Sequence, residues 1–379
     1  MPELDVVSQQ QSHPLSAPAE TAIGKPLSVT AVRKTYGAMT AVDEVSMDIA
    51  AGEFVTFLGS SGSGKTTTLM MIAGFVEPDS GSIVVGGRDV TRLAPQKRGL
   101  GFVFQQYLLF PHMTVGENIA FPLQLRGVPK AEIRRRVGET LEMAGLSGFA
   151  RRRPRELSGG QQQRVALCRA LVYRPPVILM DEPLGALDKK LRDQLQTEIK
   201  RIQRELGLTV IYVTHDQEEA LVLSDRIAVM RDGRIDQFDT PQELFERPKT
   251  PFVADFLGAA NFLSGVVEDT GDATAVRLDT GGLLRARTQQ LPRGTRVRAA
   301  VQPGRLGLCP ATDGFCAGIV ETVTYVGTLV RVTLRPEGSA GPDVVRLEIP
   351  AGRAPLIGDR VGLTADPDDV TVFEAGTAG

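Results

Sequence analysis

The chain has 379 residues, of which 42% are hydrophobic and 23% are charged, proportions that are ordinary for a globular protein of two or three domains. Lysine and arginine together number 43 and aspartate and glutamate 45, which excludes the strongly basic balance of a nucleic-acid-binding domain. The three cysteines, Cys168, Cys309 and Cys316, form no C-x-x-C pair, so neither a disulfide framework nor a zinc site is expected.

The first 26 residues are predicted to form a disordered N-terminal tail. They are rich in Ser, Gln and Pro, and they lack the charged start and apolar run of a signal peptide. The longest stretch without a charged residue, 99–116, is interrupted by two glutamines, a proline and a histidine, which are costly in lipid. The sequence therefore predicts no membrane-crossing segment, and partner chains would have to supply any pore.

Residues 27–258 are predicted to form an α/β domain with a largely parallel sheet, because short apolar runs alternate with helical periodicity. Runs at 54–58, 177–180 and 210–213 are typical of buried strands. Between about 106 and 175 the strand signals vanish and apolar residues recur at helical spacing. This region is predicted to be a helical insertion in the α/β domain.

The pattern changes twice more toward the C-terminus. The apolar run 227–230 is followed by Asp232-Gly233 and a second short run, which is a hairpin signal. Residues 259–379 contain short β-like runs separated by Gly, Pro and Asp turns, which predicts a small all-β, OB-like barrel or sandwich.

A complete phosphate-loop motif, G-x-x-x-x-G-K-[ST], lies between the apolar strand 54–58 and an apolar helix at about 69–75. Glycines let the backbone wrap a phosphate chain, and the helix that follows offers its positive N-terminus to the anion. In this motif Lys65 reaches the β- and γ-phosphates of ATP and the Thr66 hydroxyl binds Mg²⁺. The predicted ATP-binding residues here are Gly59, Ser60, Ser61, Gly62, Ser63, Gly64, Lys65, Thr66 and Thr67.

Two carboxylates end the apolar strand 177–180. Asp181 is placed to hold the Mg²⁺ shell, as in other P-loop NTPases. Glu182 follows, and on a strand its side chain would point the other way, so it is the candidate that polarises the attacking water. Strands also end in acids at solvated edges, and it is the upstream phosphate loop that favours the functional interpretation.

Leu157-Ser158-Gly159-Gly160-Gln161 is predicted to begin a helix, since Ser158 and Gln161 have capping-box spacing. Two glycines in a first turn each cost up to about 1 kcal/mol relative to Ala. Capping does not account for them, whereas the close approach of a phosphate does.

This string resembles the signature motif of ABC ATPases, and other features of that family occur in the expected order. Tyr36 stands where the family stacks an aromatic ring on adenine. Phe104-Gln105 resembles the Q-loop, whose glutamine touches Mg²⁺ and senses the channel subunit. Residues 184–188, ending in Asp188, resemble the D-loop, although the family more often has Ser at Gly185. His215 resembles the switch histidine that contacts the γ-phosphate.

The resemblance implies a homodimer with two composite sites, in which the signature of one subunit closes over the ATP held by the other. Ser158, Gly159, Gly160, Gln161 and Asp188 would then contact the partner's nucleotide. Catalysis would fall to Glu182, His215, Lys65 and Gln105, and the metal to Thr66, Gln105 and Asp181, with ATP and Mg²⁺ as cofactors.

Residues 105–122 resemble the stretch of importer ATPases that receives a coupling helix from the membrane subunit. Residues 252–263 are similar to the part of these importers that leads into a TOBE-type regulatory domain, although Gln302-Pro303-Gly304 departs from the Arg-Pro-Glu of relatives. The implied partners are two transmembrane permease subunits and, indirectly, a substrate-binding protein, at the cytoplasmic face of the inner membrane.

The chain is most similar to the polyamine (spermidine/putrescine) group of importer ATPases. Importers of ferric iron, phosphonate, thiamine and sulfate remain possible, because the ATPase never touches the cargo. Outside the importers, the competing interpretations are an exporter ATPase, a soluble ABC protein of translation or repair, and a module that no longer hydrolyses. A single phosphate loop, a single signature and an intact set of catalytic side chains argue against the last two.

Overall fold

The structure is a computed structural model that describes residues 23–185, 187–338 and 344–376. These residues form two compact units, the first made of 23–57 with 61–215 and the second of 58–60 with 216–376. Most of the predicted N-terminal tail, residues 1–22, and one D-loop residue, Ala186, lie outside the described residues. No helix in the described ranges is long and apolar enough to cross a membrane.

The first unit contains a parallel sheet built from buried strands. Strands β6 (Gly101–Val103), β7 (Val177–Asp181) and β8 (Thr209–Thr214) pair in parallel, and β3 (Phe54–Leu58) lies next to β8. Every residue of β3, β7 and β8 is buried, as expected for strands that are covered on both faces. In chain order, the strands and helices between residues 27 and 214 are β1 (Leu27–Tyr36), β2 (Met39–Ile49), β3 (Phe54–Leu58), α1 (Lys65–Ala73), β4 (Ser80–Val85), β5 (Arg88–Asp89), α2 (Pro95–Arg98), β6 (Gly101–Val103), α3 (Val115–Leu125), α4 (Lys130–Met143), α5 (Gly159–Leu171), β7 (Val177–Asp181), α6 (Lys189–Leu206) and β8 (Thr209–Thr214).

The predicted helical insertion is confirmed as α3, α4 and α5, with no strand between residues 106 and 175, all of which the structure describes. Their apolar faces share one core, in which Ile119, Val137, Val165 and Cys168 are buried. Complete burial raises the pKa of the Cys168 thiol to about 12, so this cysteine packs as a small apolar side chain.

A second sheet in the first unit was not predicted. Strands β2, β1, β4 and β5 form a four-stranded antiparallel sheet in that order. Its strands alternate buried and exposed residues only in part, and the β1–β2 register shifts three times, which obscures the period-2 pattern in the sequence.

The second unit is rich in strands. The predicted hairpin near 232 is confirmed as the antiparallel pair of β9 (Arg226–Arg231) and β10 (Arg234–Asp239). The predicted all-β C-terminal region is also confirmed. It has two five-stranded sheets, which share one apolar core. The elements are α7 (Gln217–Leu223), β9 (Arg226–Arg231), β10 (Arg234–Asp239), α8 (Pro241–Glu246), α9 (Pro251–Gly258), β11 (Asn261–Thr270), β12 (Thr274–Leu278), β13 (Leu283–Ala286), β14 (Arg296–Val301), β15 (Leu306–Cys309), β16 (Cys316–Val326), β17 (Leu329–Pro336), β18 (Val345–Pro350), β19 (Arg360–Ala365) and β20 (Val370–Glu374). The two five-stranded sheets have the strand orders β13-β12-β11-β14-β20 and β15-β19-β16-β17-β18.

Candidate functional site

The phosphate-loop motif leads directly into helix α1, which begins at Lys65. Gly62 and Gly64 have φ of 82° and 96°, a backbone region that favours glycine. Gly64 is also the N-cap residue, and because it has no side chain it cannot cap the first backbone N–H groups itself. An anion is the natural partner for such a helix N-terminus.

Lys65 places its ammonium group inside this loop. Its side chain is buried, and Nζ lies 3.4 Å from Oγ of Ser63. Burial lowers the pKa of Lys65, while the nearby carboxylates of Glu182 and Asp181 act in the opposite direction. The loop therefore combines a desolvated cation with the N-terminus of a helix, a combination suited to phosphate groups.

Asp181 ends strand β7 and meets the start of α1. The hydroxyl of Thr66 donates a hydrogen bond to Asp181 Oδ1 at 3.1 Å, so the strand end and the phosphate loop converge. Burial raises the pKa of Asp181, and the neighbouring Glu182 raises it further, whereas Thr66 and Lys65 lower it. A carboxylate desolvated in this way is stabilised by an added cation.

Glu182 is held by the side chains of Gln105 and His215, both of which are candidate catalytic residues from the sequence. Its Oε1 lies 3.2 Å from His215 Nδ1, and its Oε2 accepts a hydrogen bond from Gln105 Nε2 at 3.1 Å. Glu182 has φ of 41°, an uncommon value for a residue with a side chain, and its N–H donates to Val213 O at 3.0 Å. This bent backbone lies just past the end of β7, and such strain is frequent at active sites.

The pair Thr66–Asp181 and the trio Gln105–Glu182–His215 thus lie together at the carboxyl ends of β6, β7 and β8. This edge of a parallel sheet is where ligands bind in open α/β folds. In the described part of the chain, no cluster of three or more His, Cys, Asp or Glu side chains is arranged to hold a metal ion. A metal here would have to draw on the carboxylate of Asp181 together with the Thr66 hydroxyl and the Gln105 amide.

Tyr36, the predicted adenine platform, ends β1 with a half-exposed ring. Lys34 lies near this ring and is in turn bound by Asp79, and neither residue was a candidate from the sequence. Lys34 Nζ lies 5.7 Å from the centre of the ring and 2.8 Å from Asp79 Oδ1, and Asp79 also accepts from the N–H of Thr35. These bonds lower the pKa of Asp79 to about 2. Asp79 carries no sequence signal for this role, because it is distant in the chain.

The signature segment forms the predicted capping box at the start of α5. Ser158 Oγ accepts from Gln161 N at 3.4 Å, and Gln161 Oε1 accepts from Ser158 N at 3.0 Å. Asp188 likewise caps α6, accepting from Leu191 N at 3.0 Å. Ser158 and Gly159 are exposed, so this helix N-terminus remains accessible.

The two signature glycines differ in their surroundings. A Cβ on Gly160 would lie 2.8 Å from Leu191, closer than side chains tolerate without a shift, whereas a Cβ on Gly159 would make ordinary contact at 3.5 Å with Leu187. Gly160 therefore has a packing reason to lack a side chain, in addition to the phosphate approach inferred from the sequence. Among the described residues, Gly159 meets no contact of this kind.

The region after Gln105 lines an apolar groove of about 420 Å³. Phe102 and Phe104 have ring centres 4.3 Å apart, and Phe110 and Phe121 have ring centres 4.8 Å apart. Leu108 and Leu125 are exposed at the groove. Its lining residues are Leu100, Phe102, Phe104, Leu108, Phe110, Phe121, Pro122, Leu125, Arg126, Arg169, Ala170 and Tyr173.

Comparison with known proteins identifies the family. The family model described as ABC transporter matches residues 42–185, and the model described as TOBE domain matches residues 299–373. The spermidine/putrescine import ATP-binding protein PotA of Rubrobacter xylanophilus is 53% identical over 325 residues, covering 83% of this chain and 85% of that protein. The chain belongs to the ABC transporter family. The predicted α/β fold with a TOBE-type C-terminal region and the predicted class, an importer ATPase of this family, are confirmed.

Other relatives support the same assignment. The Fe(3+) ions import ATP-binding protein FbpC of Agrobacterium fabrum is 47% identical, covering 81% of this chain and 86% of that protein. Among solved structures, a dimeric ATP-binding cassette in a post-hydrolysis state bound to ADP and Pi is 37% identical with a TM-score of 0.52. It covers 57% of this chain and 98% of that cassette.

Proposed function

We propose that the chain binds and hydrolyses ATP with Mg²⁺ at the site built around Lys65, Asp181 and Glu182, and so powers an ABC importer. The observation that carries this proposal is the position of Glu182. Its carboxylate lies between Gln105 and His215, next to a phosphate loop whose Thr66 contacts Asp181. Relatives named as import ATP-binding proteins and a cassette bound to ADP and Pi support the nucleotide.

Each side chain has a role that follows from its chemistry. Lys65 would neutralise the β- and γ-phosphates, and its burial strengthens that interaction by excluding water. Glu182 would orient and polarise the attacking water, since its carboxylate is fixed by two neighbours. His215 would hold Glu182 and contact the γ-phosphate. Tyr36 would stack on the adenine ring.

The residues fit a magnesium ion. The Thr66 hydroxyl, the Asp181 carboxylate and the Gln105 amide supply the oxygen ligands that Mg²⁺ prefers, and the burial of Asp181 favours a cation beside it. When bound, Mg²⁺ would supply charge neutralisation for the phosphates. Thr66, Gln105 and Asp181 would hold it.

Two copies of the chain would form a homodimer with two composite sites. Ser158, Gly159, Gly160, Gln161 and Asp188 would contact the nucleotide of the partner subunit. The accessible N-terminus of α5 suits a phosphate, and the similar cassette structures are dimeric. ATP would favour the closed dimer because it binds that state better, and hydrolysis would release it.

The apolar groove lined by Phe104, Phe110 and Leu125 would receive a short helix from a transmembrane permease subunit. Two such permeases, fed by a substrate-binding protein, would place the chain at the cytoplasmic face of the inner membrane. We propose an ATPase domain at 27–258 and a TOBE-like regulatory domain at 259–379.

The proposed cargo is a polyamine such as spermidine or putrescine, because the relatives named for that import include the one at 53% identity. Ferric iron is the second candidate, supported by the relative at 47% identity. Uptake of radiolabelled putrescine and ferric iron by cells with and without this chain distinguishes the two. Loss of iron uptake alone would overturn the polyamine assignment.

Phosphate release by purified chain, with Lys65→Ala beside it, tests the ATPase proposal. Lys65→Ala removes the ammonium from the phosphate loop, so turnover should fall at least about 100-fold. Lys97→Ala, which changes an exposed lysine outside the loop, is the matched control and should keep normal turnover. Unchanged hydrolysis in Lys65→Ala would refute the site.

A further inference from the structure

Helix α5 connects two motifs of the proposed site that are far apart in sequence. Its N-terminus carries the signature residues Ser158 to Gln161, and its C-terminal part touches the segment that carries Gln105. As a continuous α-helix of 13 residues, α5 fixes the distance between its two ends at about 20 Å. Packing also restricts lateral movement of this helix, because Val165 and Cys168 are buried in the core of the helical insertion.

The segment after Gln105 is held by Arg169. The guanidinium donates from Nη1 to Leu108 O at 2.8 Å and from Nη2 to Tyr107 O at 3.0 Å. It also lies 5.6 Å from the centre of the Phe110 ring. Arginine is suited to this task because its planar fork fixes two acceptors at once.

The backbone that Arg169 holds is strained. Leu108 has φ of 44°, in the left-handed region that side chains disfavour, and its side chain is exposed. Burial of its own side chain therefore does not account for this conformation. The hydrogen bond from Arg169 to Leu108 O is a contact that stabilises it.

The segment before Gln105 is held by the same helix end. The hydroxyl of Tyr173, just past α5, donates to Leu100 O at 2.7 Å, immediately before strand β6. The Tyr173 ring is in turn covered by the guanidinium of Arg126, 3.9 Å away. Gln105 therefore lies between two anchors, one on each side in the chain, and both come from the C-terminal end of α5.

We propose that Arg169 and Tyr173 are positioning residues that lock the Gln105 segment to helix α5, so that Gln105 and the signature residues move together. This inference rests on the proposed function of Gln105 and of the signature. It follows that the position of helix α5 controls two contacts at once. These are the hydrogen bond from Gln105 to Glu182 and the contact of Ser158 with the partner subunit.

A double-mutant cycle on kcat tests the lock, with Arg169→Lys and Gln105→Ala made singly and together. Lysine keeps the charge but lacks the planar fork whose two nitrogens donate to the two carbonyl oxygens, so Arg169→Lys should lower kcat about tenfold with a much smaller change in KM. If Arg169 acts through Gln105, the same change in the Gln105→Ala background should lower kcat less than about twofold. Effects that simply multiply would overturn the proposal.

Tyr173→Phe repeats the cycle with a change that removes only one hydroxyl, and it keeps the test decisive should Arg169→Lys fold poorly. Arg164→Lys is the matched control. Arg164 lies on the same helix but donates to Ala144 O at 3.4 Å, outside the Gln105 segment. Arg164→Lys should change kcat by the same factor in the wild-type and the Gln105→Ala backgrounds, as expected of a residue whose role is only structural.

The link to the signature is measured in the Glu182→Gln background. Arg169→Lys should raise the ATP concentration for half-maximal dimerisation about tenfold, by size-exclusion chromatography, and leave ATP binding to the monomer unchanged. An unchanged dimerisation midpoint would overturn the link. Failure of the proposed function would show instead as normal turnover in Lys65→Ala, which leaves Arg169 and Tyr173 in place.

Discussion

Glu182 Oε1 lies 3.2 Å from Nδ1 of His215, and this contact joins the ends of the adjacent parallel strands β7 and β8. The Glu182 side chain is mostly buried, whereas the His215 side chain is largely exposed. The fixed carboxylate of Glu182 suits a general base, and the exposed imidazole of His215 is free to contact a substrate. The charge of Glu182 is therefore expected to matter more for hydrolysis than for nucleotide binding.

Glu182→Gln should bind ATP and form a stable dimer but hydrolyse ATP at least about 100-fold more slowly. The amide keeps the shape and the contact with Gln105 but loses the negative charge that polarises water. Phosphate release and size-exclusion chromatography with ATP measure the two effects. Glu142→Gln, an exposed control, should behave as wild type. Turnover near normal in Glu182→Gln would remove this residue from the mechanism.

Asp181→Asn should make the nucleotide-free chain more stable at neutral pH while abolishing hydrolysis. Burial raises the folded-state pKa of Asp181 above 3.8, so its ionised form is disfavoured in the folded state. That cost is fully present above the folded pKa and disappears below 3.8. Asparagine carries no charge and so removes this cost. The gain in stability of Asp181→Asn over wild type should therefore shrink as the pH falls from the folded-state pKa of Asp181 toward 3.8.

Thermal melts of wild type and Asp181→Asn across a pH series, without nucleotide or metal, measure this gain. Asp272→Asn is the control, since its side chain is exposed. A variant that is less stable than wild type at neutral pH would contradict the desolvation argument. Adding ATP and Mg²⁺ should raise the melting temperature of wild type more than that of Asp181→Asn.

Gly160→Ala should be less stable than Gly159→Ala by about 1–2 kcal/mol. Alanine favours the helix at both positions, but at position 160 overpacking opposes this gain. The added methyl at position 160 would press on Leu191, whereas at position 159 it would make ordinary contact with Leu187. Urea unfolding followed by circular dichroism gives the difference. Equal stabilities would show that Leu191 moves aside without cost.

Arg98→Met should destabilise the chain by about 3 kcal/mol or more, since several buried carbonyl oxygens would lose a charged donor. The buried Arg98 guanidinium donates to Met71 O and Ile72 O at the end of α1 and to Leu93 O and Thr91 O on a neighbouring segment. Urea unfolding measures the loss. Arg88→Met, at an exposed position, should change stability by less than about 0.5 kcal/mol.

The local parts of the site could be predicted from the sequence because their signals are contiguous. The phosphate loop, the buried strand that ends at Asp181 and the capping box of Ser158 with Gln161 each depend on residues close in the chain. Their dihedral angles and caps follow from short-range sterics and hydrogen bonds. The all-β C-terminal region was likewise evident from runs of apolar residues between turns.

Other features depend on residues that only the folded chain brings together. The antiparallel sheet β2-β1-β4-β5 carries irregular registers, so its period in the sequence is blurred. Asp79 binds Lys34 and Thr35 next to Tyr36, and Leu191 would crowd a side chain at Gly160, through contacts that no sequence pattern encodes.

The sequence by itself determined that this protein carries a phosphate loop, an acidic strand end and a signature helix, and in what order. The tertiary structure decided how they meet: Glu182 between Gln105 and His215, and Arg169 on the carbonyl oxygens beyond Gln105. The reason is physical. Motif geometry is set by neighbouring backbone dihedral angles, whereas side-chain pairing across strands and helices is set by the packing of the whole unit.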